Sequence, residues 1–79
     1  MRYFFNSRDI DTFEADDIGL ELTDLEDVKR EAAICLAELA CDVLPGNESR
    51  PLAIEVRDER GQSVLIARMA FEVQVLIPG

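Results

Sequence analysis

The sequence predicts an α+β fold: two β-hairpins flanking one long α-helix in the order ββαββ, forming a four-stranded sheet with the helix on one face. Three observations carry this. Over residues 23–44 apolar side chains recur at spacings of three and four, the period of a helix with one buried stripe. On both sides of that stretch the pattern switches to alternation, the period of a strand. The alternating stretches come in pairs, and a polar segment joins each pair.

Each element has its own signal. Residues 2–7 read as a first strand, with Tyr3 and Phe5 on one face and Phe4 on the other. Residues 8–17 are an acidic connector. Residues 18–22, Ile-Gly-Leu-Glu-Leu, alternate with period two and read as a second strand. Thr23-Asp24-Leu25-Glu26 fits a capping box, in which the Thr23 hydroxyl accepts from the Glu26 amide and the Glu26 carboxylate reaches back. Asp24, Glu26 and Asp27 suit the positive end of the helix dipole. Leu25, Val28, Ala32, Leu36, Leu39 and Val43 make the stripe, which Ala33, Ala40 and Leu44 widen on one side and Cys35 on the other. Pro45-Gly46-Asn47 ends the helix.

Residues 51–57 form a third strand with Leu52, Ile54 and Val56 facing in and Ala53, Glu55 and Arg57 facing out. Residues 58–61 make a turn, where Gly61 suits left-handed backbone. A long fourth strand spans residues 62–77. Leu65, Ala67, Met69, Phe71, Val73 and Val75 line one face; Val64, Ile66, Arg68, Ala70, Glu72 and Gln74 line the other. The preferred order sets the first and fourth strands side by side in the centre, parallel, as in small β-grasp-like domains, with a right-handed crossover through the helix. A continuous antiparallel order is the alternative.

Residues 1–79 are expected to form a single domain, since a chain this short buries only about 60–65% of its unfolded surface. Charge is unevenly spread. Residues 1–28 carry nine acids and two bases, a net of −7, and the whole chain carries −9. Such a chain repels phosphate backbones, so nucleic acid is not an expected partner. No apolar run approaches the roughly 20 residues that span a bilayer, and Tyr3-Phe4-Phe5 is too short for a secretory core, so no membrane partner and a cytoplasmic location are expected. Cys35 and Cys41 lie about 9 Å apart along a helix axis, beyond the roughly 7 Å limit of a disulfide. Both are read as reduced structural thiols.

Arg2-Tyr3-Phe4-Phe5, Gly19-Leu20-Glu21-Leu22, Asp24-Leu25-Glu26 with Arg30-Glu31-Ala32, and Ile54-Glu55-Val56 with the following turn come in a characteristic order. Together they resemble a domain-of-unknown-function family of short bacterial proteins, over most of the chain up to about Ala70. The family usually has Gly or Asp-Gly near the first connector, where this chain reads Asp9-Ile10-Asp11, and its C-terminal piece is shorter than residues 71–79. The resemblance implies the fold and brings no activity, cofactor or catalytic residue.

Chemistry is sparse. Without His the commonest general base is missing, and the usual Ser-His and Cys-His arrangements have no base. The four glycines are isolated, so there is no phosphate-cradling loop. An EF-hand pattern starts at Asp9 and Asp11 but meets Phe13, Glu14 and Leu20 at later ligand or glycine positions. No catalytic residue, cofactor or metal site is assigned, and an enzyme is not expected. What remains is surface. Phe4, Val64, Ile66, Phe71, Val73 and Val75 are the candidate interface, because the outer sheet face is not cleanly polar and the last strand overhangs its neighbour. The leading expectation is a small non-catalytic interaction or structural module that homodimerises through its C-terminal strand. The alternatives are an acidic surface of Asp9, Asp11, Glu14, Asp16 and Asp17 that captures a basic protein or a cation, and an enzyme with an inter-subunit site.

Overall fold

The computed structural model describes residues 1–78. One helix lies across a five-stranded sheet in which every pairing is antiparallel. In chain order the elements are β1 (Arg2–Arg8), β2 (Phe13–Glu14), β3 (Leu20–Glu21), α1 (Leu25–Val43), β4 (Ser49–Asp58) and β5 (Ser63–Glu72). The class is the expected α+β. The strand count and order differ, because the acidic connector contributes β2.

The sheet runs β2, β1, β4, β5, with β3 joining β1 on the same flank as β2. The parallel pairing of first and last strands is therefore not formed. β4 stands between them, with Tyr3 opposite Asp58 on one side and Ile54 opposite Ala67 on the other. The reason lies in β4 itself. Leu52, Ile54 and Val56 are its inward residues and all are buried, so it takes the centre beneath the helix. The tight turn after Asp58 then lays β5 along one side, and β1 fills the other.

The core joins those three residues to Phe5 and to Val28, Ala32 and Leu36 of the helix. Leu39 and Val43 of the predicted stripe are half-buried, but Leu25 is 51% exposed because it precedes the point where α1 meets the sheet. The helix cap is Asp24 rather than Thr23: its Oδ1 accepts from the Asp27 amide at 2.9 Å, and its backbone is extended. Two overlapping cap patterns compete here, and the carboxylate one residue later wins. At the far end the Asn47 side-chain amide donates to the Val43 carbonyl.

The second strand is shorter than expected. Gly19 is left-handed, with φ +76°, so only Leu20 and Glu21 continue as strand, opposite Tyr3 and Arg2. β5 is also shorter than the 62–77 expected. It ends at Glu72 because its neighbour begins opposite, at Ser49. One further bond, from the Val73 amide to the Glu48 carbonyl at 2.7 Å, ties down the start of the tail.

Candidate functional site

The two flanks of the sheet are built differently. On the β1 flank the middle of the strand, between its short partners β2 and β3, would leave an amide unpaired. Asp16 supplies the missing acceptor. Its Oδ2 accepts from the Phe5 amide at 3.1 Å, and its Oδ1 accepts from the Ile18 and Gly19 amides at 3.0 and 3.1 Å. Its own amide donates to the buried Asn6 side chain at 2.9 Å. Burial works to raise the Asp16 pKa, but the Phe5, Gly19 and Ile18 amides and the nearby Arg57 charge outweigh it, and the carboxyl sits below its ordinary value. Gly19 is required for this closure. A Cβ there would lie 3.0 Å from the Tyr3 carbonyl oxygen and 2.9 Å from Phe4, and the left-handed backbone disfavours any side chain.

The other predicted acidic residues divide. Asp9 Oδ1 accepts from the Asp11 and Thr12 amides and lies 3.3 Å from Arg50. The Asp11 amide is the main cause of its lowered pKa; burial opposes this, and Arg50 and Thr12 reinforce it. Asp9 and Asp16 thus form the connector's internal frame, whereas Asp11, Glu14 and Asp17 are exposed. Glu14, Asp16 and Asp17 do share the walls of an open groove of about 580 Å³ with Glu31 and Cys35. Among the described residues no three His, Cys, Asp or Glu side chains come together as a metal-ligating group. Burial, with Glu31, Glu38 and Asp16 adding, pushes the Cys35 thiol up, so it stays protonated at neutral pH. Cys35 and Cys41 are both free.

On the opposite flank β5 is the bare edge. Since the Val73 amide points to the neighbouring strand, the alternation of an antiparallel ladder turns the amides of Ile66, Arg68, Ala70 and Glu72 to the open side. The chain then continues as an apolar tail, with Val75, Leu76 and Ile77 exposed at 68, 83 and 77%. A ten-residue strand is about 33 Å long. The molecule measures 52 × 23 × 17 Å, so its length exceeds that of its sheet.

The predicted interface residues fall into four groups. Phe4 and Ile66 are on the outer sheet face, but with β4 between them they do not touch through adjacent strands, as the expected order had it. Phe4 instead lies under the Arg57 guanidinium, 4.4 Å from its ring centre. Val64 is not on that face. It is the extra residue of a bulge, where Val56 pairs with Leu65 and Arg57 with Ser63, and it packs on the core. Phe71 and Val73 share an apolar groove with Ala40, Cys41 and Leu44 at the helix end. Val75 stands in the tail.

Sequence reasoning placed Arg57 and Arg68 on the outer face but missed Asp16 as a structural centre and the cross-strand alignment of Arg8 with Arg68. The register that produces both depends on which strand neighbours β1, and no local pattern states that.

No helix is long and apolar enough to cross a membrane. No curated protein and no solved structure matches the chain. One family does match, over residues 2–70, so the fold up to Ala70 is shared and the tail lies outside the matched part. The chain belongs to the family described as domain of unknown function DUF6894.

Proposed function

We propose that this chain is a small non-catalytic cytoplasmic interaction module that homodimerises through its C-terminal strand. The observation that carries the reading is the bare β5 edge running on into an exposed apolar tail. A long free edge beside apolar side chains is a template for another strand. The inward residues of β5, Leu65, Ala67 and Met69, are only half-buried under the helix. Val73, Val75 and Ile77 continue the same alternation. Tails exchanged about a two-fold axis would lie beside β5 of the partner copy and extend this incomplete layer. Charge favours the same surface. Two copies at −9 repel each other, yet residues 63–77 hold one base, Arg68, and one acid, Glu72.

Light scattering across a dilution series tests this. Wild type is expected at twice its 8.9 kDa at micromolar concentration. Ala70→Pro, which removes an amide facing the open edge, is expected to be monomeric. A wild-type mass that stays monomeric at every concentration overturns the reading. The acidic-surface alternative has less support, because Asp9 and Asp16 already accept from backbone amides of β1, the connector and the segment after it.

A further inference from the structure

We infer that a depression on the outer face of the sheet is a binding site for a small amphipathic carboxylic acid, an aliphatic or aromatic body with one carboxylate. It does not depend on self-association, since it lies on the face of the sheet and not along its edge. Its base is one cross-strand row in which Ala53 of β4 stands between Arg8 of β1 and Arg68 of β5. With strands about 4.8 Å apart, the two arginine Cα atoms are roughly 10 Å apart, one on either side of the alanine methyl. In the next row Pro51 faces Ala70, again two small side chains, and Ile10 of the connector borders the depression. The result is a hollow of about 330 Å³ with an apolar lining and a cationic rim. That volume is at the lower end of the range for small-molecule sites.

The two arginines play different parts. Arg8 is fixed: its Nε donates to Glu55 at 2.6 Å and its guanidinium lies 4.5 Å from the centre of the Phe13 ring. Arg68 has no acidic partner and no side-chain hydrogen bond among the described residues, so its planar fork is available to a carboxylate. In a chain of net charge −9, an uncompensated guanidinium beside an apolar hollow selects for an anion with an apolar body. The neighbouring acids limit the ligand's charge to one. Glu55 holds Arg8 from the adjoining row, and Asp9 borders the hollow with its carboxylate committed to the Asp11 and Thr12 amides and Arg50. A phosphate or dicarboxylate would meet both.

Amide chemical shifts in a titration with hexanoate test the site, with hexanol and acetate as probes lacking the charge and the body. Saturable shifts centred on Ala53, Arg68 and Ala70 are expected with hexanoate, and binding at least about tenfold weaker with either control, the loss of one charge-assisted contact or of the apolar contact. Arg68→Gln should weaken hexanoate by about tenfold while leaving the rest of the spectrum in place, and Ala53→Leu should fill the hollow and abolish the shifts. Equal response to hexanol, unchanged affinity in Arg68→Gln, or shifts that avoid these residues each overturn the assignment.

Discussion

The sheet has two edges, and they solve the same problem in opposite ways. At β1 the chain folds back on itself, places two-residue strands at either end and satisfies the middle with the Asp16 carboxylate. At β5 nothing is added, and the edge amides meet solvent beside an apolar tail. A small domain can close an edge with one well-placed side chain. It does so on one flank only, and the self-association proposed above would use the other.

The comparison can be broken by substitutions of decreasing effect. Leu36→Ala empties a core position that serves both flanks, and should cost about 2–5 kcal/mol in denaturant unfolding, with both edges lost together. Asp16→Ala strikes the closed flank alone. It leaves the Phe5, Ile18 and Gly19 amides without their acceptor and should cost about 2–3 kcal/mol, with amide exchange accelerated first in β1 and the connector. A loss under about 0.5 kcal/mol would mean that water substitutes for the carboxylate.

Acid gives a milder version. The Asp16 and Asp9 carboxyls are held below their ordinary value of 3.8 in the folded chain. The stability they contribute is complete above 3.8 and is lost as pH falls through the lower folded values. Wild type should therefore weaken as pH falls below about 3.8, and Asp16→Ala should show a shallower decline. The open flank should be least sensitive. Ala70→Pro removes an amide that bonds to nothing within the chain, so its monomer stability should change by less than about 1 kcal/mol while self-association is lost.

Much of this was legible in the residues. The helix period, the alternation of β4 and β5, and the turn at Gly61 (φ +84°) all appear where local pattern places them. Strand order was not legible, because Tyr3 and Phe5 alternate in the same way whichever neighbour they meet. The Thr23 cap was misplaced because Asp24 offers a rival acceptor one residue on. Asp16 looked like one acid among five, since a carboxylate's role depends on which amides face it and not on its spacing. The overlong last strand was half right: its apolar alternation runs on to Ile77, but a strand ends where its partner ends.

The Asp16 closure also bears on the order of assembly. It joins residues 10 and 11 apart in the chain, whereas the bond from the Arg2 amide to Glu59 spans 57. Short loops close quickly and with little entropy, and long ones wait for the rest of the fold. The amino-terminal strand can therefore arrive already wrapped by its connector, one side occupied, with a single side left to dock against β4. A nascent chain built this way has little chance to add the wrong strand to its first edge.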